Sequence, residues 1–167
     1  LGLTGSGAFI EAEDYQRKGI TNIQQILRKV PGVYIREEDG FGNFPNISLR
    51  GGDGTRNEKV TVMEDGILTA PAAYSAPSAY YSPRAARMSG IEVLKGSSQI
   101  KYGPHTTGGV INFLSTEIPS EETFYTRNTY GTYNTLLSHN YYGDTVRTAT
   151  GTFRYLLELF HHSRRVV

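Results

Sequence analysis

Between residues 91 and 114 the chain reads IEVLKGSSQIKYGPHTTGGVINFL, two short apolar runs on either side of a glycine- and serine-rich connection. Residues 91–95 and 110–114 have the β-branched enrichment and the length of strands buried in a sheet, and Gly, Ser or Pro closes each run. The connection GSSQIKYGPHTTGG holds four glycines, which permit positive φ and close backbone approach, and its Gly103-Pro104 step disfavours helix. The segment therefore predicts two buried strands joined by a shaped loop.

The chain upstream supplies partners for such a sheet. Residues 1–8 are Gly-rich and read as an extended lead-in, and residues 11–18 as one charged helical turn. Thr21 is the expected N-cap of a clearer helix, with Ile23, Ile26, Leu27 and Val30 at helical spacing and Pro31-Gly32 ending it. Residues 33–36 and 47–50 read as strands around the polar loop EEDGFGNFPN. The alternating KVTVME turns through Asp65-Gly66 into Ile67-Leu68, a hairpin signal. Residues 69–82, TAPAAYSAPSAYYS, have no period and read as a surface loop rich in rigid aromatics and hydroxyls, the composition of a contact surface. Ser82 and Pro83 then look like the N-cap and first position of a short helix.

These motifs, in this order, closely resemble the plug domain of TonB-dependent outer-membrane receptors. The resemblance rests on Pro31-Gly32-Val33, on Leu49-Arg50-Gly51 followed by Val62-Met63-Glu64-Asp65-Gly66-Ile67, on Ile91-Glu92-Val93-Leu94-Lys95-Gly96, on Tyr102-Gly103, and on Gly108-Gly109-Val110-Ile111-Asn112. Four ordered motifs across about a hundred residues are specific where any one alone is weak. The detail is most similar to the ferric citrate branch: the Asp-Gly-Ile turn, a Pro- and Tyr-containing loop, then KYGPHTTGGVINF. The fold so implied is α+β, a plug-type domain with a small mixed sheet, short helices and long loops, followed by antiparallel strands of an incomplete transmembrane barrel.

Beyond residue 117 the character of the chain changes. Residues 117–122 are rich in acid and carry a proline, and the remainder is rich in Tyr, Thr and Asn. In residues 152–161 the odd positions are Phe153, Tyr155, Leu157, Leu159 and His161, while Thr152, Arg154 and Glu158 are among the even ones. A barrel strand shows that alternation, apolar outward to lipid and polar inward; Leu156 and Phe160 break it. Residues 123–142 supply two further strands separated near Gly131 or Asn134, with Gly143-Asp144 as a turn, and residues 163–167 look unlike a barrel continuation. The expected division is a plug at 1–117, a linker at 118–122 and the first barrel strands at 123–167. A full receptor barrel needs about 22 strands of about ten residues.

Composition narrows the alternatives. With 38% hydrophobic residues, 19 glycines and 12 tyrosines among 167 residues, the chain is poor in core formers and rich in turns and amphipathic aromatics. A net charge of +1 without a basic face argues against nucleic acid, and the absence of cysteine removes disulfide, thiolate-metal and thiol chemistry. A start at Leu1 reads as processed or truncated. The four histidines (His105, His139, His161 and His162) lack metal-ligand spacing, since strand neighbours such as His161 and His162 face opposite ways. Glu64-Asp65 likewise fall on opposite faces without a nucleophile, and the glycine loops do not match the phosphate-cradling pattern. No enzyme and no cofactor is expected.

Candidate residues derive partly from the resemblance. It implies that Arg50 and Lys95, each at a strand end beside a glycine, pair with barrel-wall glutamates and lock the plug in its pore. Lys95 stands where the family usually has arginine and Ser97 where a proline often follows, and lysine keeps the charge but loses the bidentate fork. The resemblance also places the loops at 39–46 and 69–81 at the extracellular apex. For contact with an anionic ferric chelate the candidates are Tyr74, Ser75, Tyr80 and Tyr81, with Asn43 and Arg56 behind them, because hydroxyls and cations suit such a ligand. The implied partners are the chelate, the receptor's own barrel, the Gram-negative outer membrane and the inner-membrane TonB protein, acting through a TonB box before Leu1. The rival expectation is a free-standing soluble α/β domain that binds protein or carbohydrate through its tyrosine loops. It requires residues 123–162 to complete one compact core with the rest.

Overall fold

The computed structural model describes residues 6–37, 45–51, 60–69, 83–97, 102 and 108–164. Two compact units divide the chain, Leu1–Ser115 and Thr116–Val167.

The first unit is built on a five-stranded mixed sheet. The two strands read from residues 91–114 lie within it, as β6 (Gly90–Lys95) and β7 (Gly109–Leu114), paired antiparallel with Ile91 opposite Phe113 and Val93 opposite Ile111. β4 (Val60–Glu64) runs parallel to β7, with Val60 opposite Gly109, and turns through Asp65-Gly66 into β5 (Ile67–Leu68). Burial on both faces explains why β6 and β7 read as continuous apolar runs. A second, two-stranded sheet joins β2 (Val33–Glu37) to β3 (Pro45–Leu49), Ile35 opposite Ile47.

The described end of the Gly-rich lead-in continues into an edge strand, β1 (Ser6–Glu11), antiparallel to β6 from Ser6–Lys95 to Glu11–Gly90. The large sheet thus runs in the order β1-β6-β7-β4-β5. The small residues of β1 carry little strand propensity; the six-residue ladder to a buried neighbour supplies what propensity does not. Phe9 lies over Gly90, where an added Cβ would stand 2.7 Å from the ring. The charged turn comes next, as α1 (Ala12–Gln16).

α2 (Ile23–Leu27) begins one residue later than expected. Asn22, not Thr21, is the N-cap: its side chain accepts a 2.8 Å bond from the Gln24 amide. Both residue types suit a cap, so spacing alone does not choose between them. Ile23, Ile26, Leu27 and Val30 are buried as their periodicity requires. Pro83 does not open an α-helix either. Arg84 remains extended and only Ala85–Arg87 closes, as a short 3-10 turn; Ser82 lies outside the described residues.

One face of the large sheet carries the main core. Ile10, Val60, Val62, Ile91, Val93, Ile111 and Phe113 pack there with Tyr15, Ile26, Leu27, Ile47, Leu49 and Met88. On the other face Met63, Leu94 and Val110 form a smaller cluster under Tyr102. Among the described residues, these cores draw on positions 8–113 alone.

The second unit is an antiparallel meander of β8 (Thr123–Gly131), β9 (Thr135–Thr148) and β10 (Gly151–Ser163), with β9 in the middle. The hairpin between β8 and β9 falls at residues 132–134, where Tyr133 and Asn134 take φ of 58° and 49°. Gly143-Asp144 is no turn. β9 runs straight through it, and Gly143 is small for another reason: a Cβ there would lie 2.8 Å from Pro119 Cδ. Cross-strand register puts Phe124, Tyr142 and Leu157 in one row and Val146 with Phe153 in another, all exposed on one face. The opposite face carries Leu137 and His139, both buried. The alternation expected of residues 152–161 is present, with Leu156 and Phe160 half-buried on that opposite face.

Candidate functional site

Two polar constellations stand out against the apolar sheet of the first unit, and the residues of the sequence motifs compose both. The first is a cationic corner at the C-terminal end of β6. Arg50, just after β3, has φ of 57°, Gly51 has 75° and Gly96 has 74°, so the exits from β3 and β6 are both held in left-handed backbone. The Arg50 amide donates to the Gly32 carbonyl at 3.0 Å, tying the Pro31-Gly32 bend to the end of β3. The Arg50 guanidinium lies directly on Gly96, where an added Cβ would stand 3.0 Å from Nη2 and 3.2 Å from Nη1. Lys95 is 7% exposed, and its Nζ donates to the Pro31 carbonyl at 2.6 Å. A buried ammonium needs such acceptors to offset its desolvation. The structure thus gathers Pro31, Arg50, Lys95 and Gly96, drawn from three separate motifs, into one corner.

Gly109, at the same end of the sheet, shows why these motifs are so glycine-rich. Its φ is 144°, and a Cβ would collide with Leu49 Cδ1 and stand 2.8 Å from the Leu94 carbonyl oxygen. Only glycine lets β3 close over the start of β7.

The second constellation lies on the other face of the sheet. Tyr102 donates its hydroxyl to Glu92 Oε2 at 2.9 Å, and Asn112 Nδ2 lies 3.4 Å from both that oxygen and the Tyr102 hydroxyl. Asn112 Oδ1 in turn accepts the Gly66 amide at 2.9 Å. At the next step Asp65, with φ of 51°, receives the Ser115 amide at 2.9 Å and its hydroxyl. Glu92, Tyr102 and Asn112 therefore hold the Asp65-Gly66 hairpin against β7. Each of the three is hydrogen-bonded to another motif residue. Glu64, read from sequence as facing away from Asp65, forms an ion pair with Arg87.

A third anchor carries no sequence signal. Tyr15 donates its hydroxyl to the Met88 carbonyl at 3.0 Å, and Gln16 Nε2 to the carbonyls of Ala86 and Met88 at 3.3 and 3.1 Å. α1 thereby fixes the segment to which residues 70–82 return. No periodicity marks a tyrosine that bonds a carbonyl 73 positions away.

Of the candidate ligand contacts, Asn43, Arg56, Tyr74, Ser75, Tyr80 and Tyr81 all lie outside the described residues. Their flanks are placed: residues 52–59 lead into β4 at the end of the sheet where Val60 pairs with Gly109, and residues 70–82 lead back through Ala85–Arg87 to Gly90 at the other end. Among the described residues no group of three or more His, Asp or Glu side chains is arranged to hold a metal ion. In the second unit, His139 Nε2 lies 2.7 Å from Glu158 Oε1, and the Tyr125 and Tyr141 rings stack beside them at 4.7 Å.

The family profile of the TonB-dependent Receptor Plug Domain matches residues 3–110. The chain belongs to that family. The plug is similar to the ferric citrate transporter FecA in its unliganded form, with 26% identity over 95% of this chain and a TM-score of 0.70. In fold it is also similar to the ferric yersiniabactin uptake receptor FyuA from Yersinia pestis, at 23% identity, 86% coverage and a TM-score of 0.64. A further likeness is to the FpvAI structure determined with pyocin S2, at 21% identity, 96% coverage and a TM-score of 0.73. The chain spans only 26%, 22% and 20% of those three chains respectively. Its fold is accordingly the plug-type mixed sheet followed by antiparallel strands of a partial barrel, with no closed barrel among the described residues. The family is one of receptors and transporters, and the plug is not an enzyme.

Proposed function

We propose that this chain is the plug, with the first barrel strands, of an outer-membrane receptor that imports a ferric chelate, ferric citrate foremost. The observation that carries this reading is the FecA likeness, 26% identical across 95% of the chain. In this reading residues 1–117 form the plug, 118–122 a linker and 123–167 the opening strands of the barrel wall. The apolar rows Phe124, Tyr142, Leu157 and Val146, Phe153 face lipid, as the outward face of such strands must.

Arg50 and Lys95 are the plug's half of a lock against wall glutamates. What supports this is their shared corner: the Arg50 guanidinium lies on Gly96, the residue after Lys95, and a carboxylate is the natural partner of such a cation. The loops bearing Asn43, Arg56, Tyr74, Ser75, Tyr80 and Tyr81 meet the chelate from outside, Arg56 supplying the charge. The inner-membrane TonB protein, pulling on a segment N-terminal to the plug, opens the path.

Calorimetric titration of the full-length receptor in detergent tests the ligand. Ferric citrate is expected to bind, and Arg56→Ala to weaken it roughly tenfold or more, the loss of one charge-assisted contact. A folded receptor that binds no ferric chelate contradicts the proposal.

A further inference from the structure

The segment that leaves the plug sequence reads as a linker, since it is short, acidic and contains proline. Its first residues make several contacts with the strands that follow. Within the second unit, Thr116 donates its hydroxyl to Glu158 Oε1, the carboxylate that also faces His139 Nε2 at 2.7 Å. Arg154 Nη2 donates to the Ile118 carbonyl at 3.1 Å, and the Thr145 hydroxyl donates to the Pro119 carbonyl at 2.6 Å. The Pro119 ring fills the space a side chain at 143 would need, where a Cβ would stand 2.8 Å from Cδ and 2.8 Å from the Tyr155 carbonyl oxygen. By strand alternation Gly143, Thr145, Arg154 and Glu158 all belong to the face opposite the apolar rows.

We propose that residues 116–119 are a fixed strap, fastened across β9 and β10 on the face opposite the apolar rows, and not a flexible connection. Three properties of the sequence make the strap. Gly143 leaves a recess in an otherwise uninterrupted strand. Pro119 has no amide to be stranded there and little rotational freedom to lose. Thr116 adds a hydroxyl donor to the carboxylate that faces His139. Ile118 and Pro119 are half-buried, whereas Ser120, Glu121 and Glu122 are exposed. The fastening stops at Pro119. On the receptor reading, the strap fixes where the chain joins the wall, and plug movement leaves that attachment closed.

One glutamate within the fastening, Glu117, and one just beyond it, Glu121, allow a test on the 167-residue chain itself. A glutamate-specific protease is expected to cut after Glu121 at least about tenfold faster than after Glu117, the ratio that about 1.4 kcal/mol of fastening gives. Thr145→Val and Arg154→Leu together should raise cutting after Glu117 to the Glu121 rate. Cutting after Glu158, inside β10, reports opening of the sheet, so a variant that exposes Glu117 but not Glu158 has lost the strap alone. Equal rates at Glu117 and Glu121 in the unaltered chain overturn the proposal, as does a folded double variant whose Glu117 stays protected. Should the double variant unfold, the ratio in the unaltered chain decides. None of these readouts involves iron or transport, so the strap and the receptor reading fail separately.

Discussion

Arg50 shows how a motif residue can serve position before stability. A non-glycine residue at φ of 57° is strained, by about 1–2 kcal/mol relative to the right-handed region. The Arg50 amide is held there by the Gly32 carbonyl and its guanidinium lies against Gly96, which has no side chain to displace it. Arg50→Gly should therefore be more stable than Arg50→Ala by roughly 0.5–1 kcal/mol in urea unfolding, once glycine's extra unfolded-state entropy is subtracted. Equal stabilities would show that the left-handed backbone carries no strain. Leu49-Arg50-Gly51 and Lys95-Gly96 announce this corner in the sequence, but not that the two cations share it. Lys95 reads from sequence as a lock cation at a strand end, and its ammonium bonds the Pro31 carbonyl. Charge and strand position are legible in a chain; the carbonyl a lysine finds 64 residues away is not.

At the scale of elements, apolar period makes most of the fold legible. β6, β7, β4, β2 and α2 can all be read because each buries a run or stripe whose period is visible locally. The departures have a common cause, which is that a partner distant in sequence overrides a weak local preference. β1 is a strand because β6 lies beside it, and β9 continues through Gly143-Asp144 because Pro119 needs the missing side chain. The Asp65-Gly66 hairpin is visible as a turn, yet nothing local betrays its attachment to β7 through Asn112. Asn112→Ala strips the Gly66 amide of its acceptor and removes a donor from Glu92, and should cost about 1–3 kcal/mol. A loss below a few tenths of a kcal/mol in a urea melt would mean that the Glu92, Tyr102 and Asn112 network is ornamental to stability.

For the whole molecule, the plug family is legible because its motifs are the very groups that hold the sheet together: glycines where backbones touch, and Glu92, Tyr102 and Asn112 on one another. The ligand-facing candidates are a different matter. They come from stretches whose composition suggests contact but which show no period, and none of them falls among the described residues. The receptor reading therefore stands on the scaffold and on the likeness to FecA, and is best tested by what it claims the scaffold does. The most direct measurement is accumulation of radiolabelled iron by cells that lack their own ferric citrate receptor and express the full-length protein carrying this chain. Uptake from ferric citrate above the empty vector, lost when TonB is deleted, is the predicted result. A receptor shown to be folded in the outer membrane that accumulates no iron from citrate, hydroxamate or catecholate chelates would contradict it.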